Sequence, residues 1–344
     1  MRTQQAVEAA IEARRRRVND AIDAALPVQR PERLYEASRY LLEAGGKRLR
    51  PTVLLLAGEA LADVPPLSTD YAEFPSVTDG PVDLMTAAVS IEIIQSFTLI
   101  HDDIMDDDEM RRGVPAVHEA YDLSTAILAG DTLYAKAFEN MLETGTTPER
   151  SVRALAELAT TCTRICEGQS LDIAFEQHGA VSPDEYLEMV ELKTAVLYAA
   201  AASTPAIVLG HDDAVDALYG YGLDVGRAFQ IQDDLLDLTT PTETLGKQRG
   251  SDLVENKQTL ITVHARDQGV DVDGLVATDS VEAVTDAEID DAVAELEAAG
   301  SIDFARETAG DLVASGKRNL EVLPDNEART LLKGIADYLI EREY

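Results

Sequence analysis

The sequence predicts an all-α protein. Helix formers such as Ala, Leu and Glu abound, apolar residues recur at three- and four-residue spacing, and alternating runs of strand type are scarce. Arg33 to Ala44 is the first clear amphipathic segment, and Gly45 with Gly46 supplies its stop. Pro51 then opens a helix over Thr52 to Leu61, where its missing N–H is not needed. Residues 62–82, rich in Pro, Ser, Thr and Asp, read as an exposed insertion. Asp83 to Met105 forms a long apolar helix, followed by helices over Tyr121 to Glu143 and Glu149 to Phe175. Ser182 and Glu185 spell a capping box for a helix through Val190. Lys193 and Thr194 then enter an alanine-rich run, where a lysine must snorkel or find an anion. Tyr221 to Leu238 is a further helix, and 245–258 a glycine-containing loop. A second polar insertion at 268–287 precedes the last amphipathic helices.

With 64 acidic against 29 basic residues, the formal net charge is −35 and the sequence pI about 4.3. Such a charge opposes binding to nucleic acid or anionic membranes, which need basic surfaces. The acids are spread throughout, as on a solvated surface, and the reading is adaptation to a high-salt cytoplasm that screens their repulsion. Equal stability in dilute buffer and in molar salt would contradict it. The amphipathic N-terminus carries no apolar core of a signal peptide. The longest apolar run, Ala195 to Leu209, contains Ser203, Thr204 and Pro205 and reads as too short to span a bilayer. The expectation is a cytoplasmic protein without stable membrane insertion. Cys162 and Cys166 read as a buried pair of small apolar residues, since no Cys or His cluster completes a metal site with them.

The chemistry concentrates in Phe97 to Gly113, FTLIHDDIMDDDEMRRG. Asp102 and Asp106 share a helical face with Gln95 and Thr98. Two carboxylates about 6 Å apart repel by roughly 3 kcal/mol at an effective dielectric of about 20. A bridging divalent cation would relieve this, and oxygen ligands together with substrate phosphates suit Mg²⁺. Arg111 and Arg112, just beyond, could grip phosphate oxygens in bidentate fashion. In so acidic a chain the string alone distinguishes nothing: Asp212, Asp213 and Asp216 repeat the spacing, yet read as a polar turn at a helix N-terminus.

A second cluster, Asp233, Asp234 and Asp237, again ends an apolar helix. Basic residues gather at Lys47, Arg48 and Arg50 before a helix N-terminus, which itself favours anions, and at Lys247, Arg249 and Lys257. The bland alternative for each is a turn with solvated charges. Gln169, Ser170 and Asp172 carry no assignment on their own. There is no Walker or dinucleotide loop and no Ser-His-Asp logic. Two acid-rich helix ends, each followed by basic residues, suggest opposed carboxylates holding several Mg²⁺ around a diphosphate, with dry apolar helices protecting a carbocation. That chemistry is ionisation of an allylic or similar diphosphate.

Six motifs in order, GGKRLRP, HDDIMDDDEMRRG, GQSLD, KT, FQIQDDLLD and LGKQRGSDLVENK, resemble those of trans-isoprenyl diphosphate synthases, the polyprenyl synthetase family. The pattern is most similar to archaeal short-chain geranylgeranyl diphosphate synthases. The resemblance implies a single-domain antiparallel helix bundle of isoprenoid synthase type around a deep central cavity. It further implies a homodimer and three Mg²⁺ per substrate-bound site. Isopentenyl diphosphate and an allylic diphosphate (dimethylallyl, geranyl or farnesyl) are the implied substrates.

By the same resemblance Asp102, Asp106 and Asp233 are Mg²⁺ ligands, and Asp103, Asp234 and Asp237 are supporting carboxylates. Arg111, Lys193, Lys247 and Lys257 meet the allylic diphosphate. Lys47, Arg50, Gln95 and Arg112 meet isopentenyl diphosphate, with Gln95 standing where many members have His. Thr194 and Gln230 present oxygens to the cation, and Ala116 replaces a more usual Thr or Ser.

Phe97, five residues before Asp102, resembles the cavity floor that sets a C20 product, with C15 or a dual C15/C20 product as the alternative. A terpene cyclase would carry a different second motif and lack Lys47, Arg50 and Arg112. A non-catalytic partner subunit would lack one aspartate motif, and a cation-buffering acidic protein would not need the ordered basic residues.

Overall fold

Asp83 shows how the long helices are set. Its carboxylate accepts the Thr86 N–H at 2.8 Å and so caps the helix α4, Leu84–Met105, which is apolar on nearly every side and forms core. In the computed structural model of the protein, residues 2–78, 80–177, 181–241, 248–278, 280–281 and 283–341 are described. The fold is all-α, as expected. Among the described residues, strand is confined to one hairpin, β1 (Met110–Arg111) with β2 (Val114–Pro115), and an isolated bridge between Phe74 and Val82.

The chain divides into two compact units. The first comprises Met1–Cys162, Ala200–Tyr219 and Leu320–Gly334. It contains α1 (Arg2–Ala25), α2 (Glu32–Glu43), α3 (Leu49–Leu61), α4, the hairpin, α5 (Val117–Ala120) and α6 (Leu123–Leu142). Helix α4 packs along α6 and against α3, and the buried Ser90 hydroxyl donates to Ala137 O across the α4–α6 contact at 2.8 Å. Helix α3 starts at Leu49, two residues before Pro51, with Arg48 as a left-handed N-cap at φ 53°. Pro51 therefore sits in the first turn, where its missing N–H still has no intrahelical partner to lose.

The segment 62–82 is not simply an exposed insertion. Tyr71, Phe74 and Val82 are buried, and the Tyr71 hydroxyl donates to Glu59 at 2.6 Å. Glu59 also accepts the Leu67 N–H at 2.8 Å and pairs with Arg14, both charges being fully buried. Removing one member of such a pair costs about 3–5 kcal/mol, because the other charge stays buried alone. The segment is stapled to α1 and α3 by a polar contact that composition cannot reveal.

The second unit comprises Thr163–Ala199, Gly220–Asn319 and Ile335–Tyr344. Here lie the end of α7 (Pro148–Gln177), α8 (Pro183–Val190), a π-helical turn at Glu191–Ala195 and the start of α9 (Val196–Leu209). It also holds most of α10 (Val215–Thr239), followed by α11 (Ser251–Val254), α12 (Leu260–Asp267), α13 (Asp286–Ala298), α14 (Ser301–Asn319) and the end of α15 (Glu327–Glu341). The Ser182–Glu185 capping box is present as expected. Gly226 lets α10 touch the π turn: a Cβ there would lie 2.5 Å from Ala195 Cα. The polar stretch 268–287 is likewise anchored, because Val284 packs with Val254 and Ile289 in a small buried cluster, and Val272 is buried as well.

Leu84–Met105 and Pro183–Leu209 are long and apolar enough to cross a membrane, the second because its helix runs on through the π turn. Most of each is buried inside the protein, so both are core helices. Cys162 is buried but Cys166 is exposed, which corrects the expectation of a buried pair.

Candidate active site

In the first unit the acid motif closes α4. Asp102 is half-buried and Asp106, the C-cap, is exposed, with the Asp106 N–H donating to Asp102 O at 2.8 Å. Asp103 points inward and is fully buried. It accepts the Arg111 Nε–H at 2.6 Å, while Arg111 Nη2 donates to Asp108 at 2.8 Å. Burial pushes the Asp103 carboxyl up, against the pull of Arg111. Its second oxygen, Oδ2, is buried without a hydrogen-bond donor.

The arginine pair is split by the hairpin. Met110 pairs with Pro115 and Arg111 with Val114, leaving Arg112 (φ 55°) and Gly113 (φ 78°) as the two turn residues, both left-handed as a type I′ turn requires. A non-glycine residue there carries roughly 1–2 kcal/mol of strain. The turn sends Arg111 back to the acid motif and Arg112 to the glycine turn after α2. Arg112 Nη1 donates to Leu41 O at 2.9 Å and also to Gly45 O. A Cβ on Gly46 would lie 3.1 Å from Arg112 Cζ, so glycine makes this approach possible.

Beneath, Arg48 and Glu92 form a buried ion pair at 2.6 Å, and Arg112 Nη2 lies 3.8 Å from the same carboxylate. Burial lowers the Arg112 pKa, with Glu92 opposing and Arg48, Arg111 and Arg50 adding to the fall. Lys47 is exposed on this turn, and Arg50 is half-buried in the first turn of α3. Gln95 is half-buried on α4, its carbonyl accepting the Thr98 hydroxyl at 2.9 Å. Phe97, half-buried, stacks edge-to-face on His101 and Tyr134, with ring centroids 4.9 and 5.2 Å away. Ala116 is fully buried, its backbone N–H donating to Glu109 O at 2.9 Å.

In the second unit the π turn, a feature frequent at functional sites, carries Lys193 and Thr194. The lysine finds its anion in Asp172 of α7. The Thr194 hydroxyl donates to Gln230 Oε1 at 3.1 Å, and Gln230 Nε2 donates to Asp234 Oδ1 at 3.1 Å. Tyr186 of α8 donates to Asp234 Oδ2. Burial, reinforced by the nearby Asp252, raises the Asp234 pKa to about 8. Asp237, also buried, accepts the Ser251 hydroxyl at 2.9 Å and the Asp252 N–H at 3.1 Å, which ties the motif to the start of α11. Asp233 is half-buried. Lys257 pairs with Glu255 at 2.8 Å and approaches Asp252 at 3.9 Å. Lys247 lies outside the described residues.

Sequence reading missed Arg48 and Glu92 as a buried pair, and it missed Tyr186 altogether. Asp172 was visible but unassigned; its signal is a carboxylate on the helix facing a lysine that has to be neutralised. The copy at Asp212 is now explained. Arg150 grips that carboxylate bidentately at 3.0 and 2.9 Å and Arg153 joins at 2.5 Å, so it is saturated by arginine.

Among the described residues no three His, Cys, Asp or Glu side chains form a ready metal cage. The donors that are present, Asp102 and Asp106 one turn apart at the acid end of α4, suit a hard cation that keeps water and takes phosphate oxygens from a ligand. They do not suit a metal that needs a closed protein cage.

Comparison with known proteins settles the class. Residues 31–296 match the polyprenyl synthetase family. The chain belongs to that family. This polyprenyl synthetase is 71% identical over 339 residues to a geranylfarnesyl diphosphate synthase of Natronomonas pharaonis, covering 98% of each chain. It is 49% identical over 335 residues to a geranylgeranyl diphosphate synthase of Methanosarcina mazei, covering 97% of each. The solved geranylgeranyl pyrophosphate synthetase of Geoglobus acetivorans superposes with a TM-score of 0.85 at 44% identity, over 96% of this chain and 99% of that one. The protein is an enzyme, a trans-prenyltransferase.

Proposed function

We propose that this prenyltransferase condenses isopentenyl diphosphate with an allylic diphosphate and releases geranylgeranyl diphosphate, C20. The observation that carries the reading is the hairpin that parts Arg111 from Arg112. One guanidinium sits at the acid end of α4 and the other at the basic glycine turn, which suits two separate diphosphates. Arg111, Lys193, Lys247 and Lys257 hold the allylic diphosphate, and Lys47, Arg50, Gln95 and Arg112 hold isopentenyl diphosphate.

The carboxylates of Asp102, Asp106 and Asp233 would bind Mg²⁺, up to three ions with substrate present, the family being generally Mg²⁺-dependent. When bound, Mg²⁺ neutralises the charge that develops on the departing diphosphate. The allylic C–O bond breaks, the C=C electrons of isopentenyl diphosphate form the new C–C bond, and the adduct loses a proton to the departed diphosphate. Thr194 and Gln230 turn oxygens to the cation, and dry apolar walls keep water from it.

Phe97, about 7.5 Å below Asp102 along the helix, floors the chain path. A C25 product is the second reading, favoured by the relative that is 71% identical and carries the name geranylfarnesyl diphosphate synthase. Helix α6 exposes Leu123, Ile127, Leu128, Tyr134 and Leu142, an apolar face suited to pairing with a second copy. The enzyme is then a soluble cytoplasmic homodimer, and a monomer by light scattering would contradict that part. Incubation with Mg²⁺, radiolabelled isopentenyl diphosphate and each allylic primer, followed by chain-length analysis, tests the whole. C20 supports the first reading and C25 the second, while no product with any primer refutes both.

A further inference from the structure

Tyr186 has no part in the scheme above, yet it is buried and its hydroxyl is spent on a single partner, Asp234 Oδ2. Asp234 is buried too, and its other oxygen accepts from Gln230 Nε2 at 3.1 Å. An amide whose nitrogen is taken in this way must present its oxygen at the other end. Gln230 Oε1 indeed accepts the Thr194 hydroxyl at 3.1 Å. The line Tyr186, Asp234, Gln230, Thr194 therefore has a fixed sense at Gln230 and Thr194, because Asp234 Oδ1 accepts the amide N–H whether Oδ2 is ionised or carries the proton, and an amide has one donor end and one acceptor end.

We propose that Tyr186 and Asp234 are positioning residues that fix the Gln230 amide so that the Thr194 proton is spent on Gln230. The Thr194 oxygen then offers lone pairs, not a proton, to the allylic cation. The inference rests on the prenyl-transfer reading, in which Thr194 faces that cation. Without the anchor the amide is free to flip. Thr194 would then accept an N–H, and its own proton, a positive end, would turn to the developing cation. Two features hold the line in place. The π turn at Glu191–Ala195 sets Thr194, and the tight contact of Gly226 with Ala195, one turn before Gln230, leaves α10 no room to slide.

The test is a set of polarity variants assayed for kcat and for KM of both substrates, with melting temperature measured alongside. In Asp234→Asn the new amide keeps its oxygen on Tyr186 and turns its nitrogen to Gln230, which must flip; kcat falls about a hundredfold. In the double variant Asp234→Asn with Gln230→Glu, the glutamate accepts from both the new asparagine and Thr194. Thr194 again donates its proton to residue 230 and the net charge returns, although the bond between 230 and 234 runs the other way, and kcat recovers at least about tenfold over the single variant. Tyr186→Phe lowers kcat about three- to tenfold with both KM values within about twofold. A double variant no faster than Asp234→Asn overturns the proposal, and so does a Tyr186→Phe enzyme whose loss lies in KM alone. If Asp234→Asn fails to fold, the Tyr186→Phe split between kcat and KM decides by itself. Absence of product from the unaltered enzyme would instead refute the prenyl-transfer reading, and this inference with it.

Discussion

The acid ends of α4 and α10 are spelled alike and anchored differently. At α4 the inward carboxylate, Asp103, is held by a cation, Arg111, which also reaches Asp108. At α10 the inward Asp234 is held by the neutral donors Tyr186 and Gln230, and Asp237 accepts from Ser251 and the Asp252 N–H. A guanidinium can leave a carboxylate for a phosphate with little change in charge balance, so the first end can exchange partners when a diphosphate arrives. The Tyr186 hydroxyl is buried and carries no charge to be matched by a phosphate, so the Asp234 contact is built to stay still. The same motif thus serves as a grip in one unit and as a fixed frame in the other. The third copy, at Asp212, is saturated by Arg150 and Arg153 and serves as neither.

The largest effects should come from the outward carboxylates. Asp102→Ala and Asp233→Ala should each lower kcat at least about a thousandfold in the isopentenyl-transfer assay. A loss under tenfold, about 1.4 kcal/mol, would remove that residue from the metal site. Asp212→Ala is the control: activity within about twofold, and a stability change below about 1 kcal/mol, as befits an exposed pair.

Next come the parted arginines. Arg111→Ala should raise KM for the allylic primer about ten- to a hundredfold, and Arg112→Ala should do so for isopentenyl diphosphate. Crossed results, each variant affecting the other substrate, would break the assignment while leaving the hairpin intact. Phe97→Ala should change product length more than rate, shifting it by at least one C5 unit. An unchanged product on chromatography would mean that Phe97, stacked on His101 and Tyr134, is not the floor.

The smallest effect is in pH. An unfolded Asp titrates near 3.9, whereas Asp234 is raised to about 8 by burial. The folded state therefore holds the extra proton across that interval. This group's contribution to stability is fully present below about pH 4 and is lost as pH rises through 8. In metal-free enzyme the melting temperature of Asp234→Asn should gain on that of the parent between pH 5 and pH 8. Parallel curves would show that Asp234 titrates normally.

Much of this was legible in the sequence, and the rest fails for definite reasons. The helices, the Ser182 cap and both acid ends follow from periodicity and local chemistry. The hairpin's parting of Arg111 and Arg112 depends on left-handed backbone at Arg112, which its residue type does not signal. The π turn at Glu191–Ala195 and the burial of Tyr71 and Phe74 in a polar-looking segment are tertiary effects. Arg48 with Glu92, and Tyr186 with Asp234, join residues 44 and 48 positions apart, beyond the reach of any local pattern.

The proposed prenyl transfer has the two acid ends act in one chemical step. It is tested most directly by kcat for Asp102→Ala, Asp233→Ala and the double variant, with Mg²⁺ saturating. Groups that work as a unit are non-additive, so the account predicts that the double variant is no more than about tenfold slower than either single one. Losses that multiply to about a millionfold would contradict it, because each acid end would then be contributing on its own.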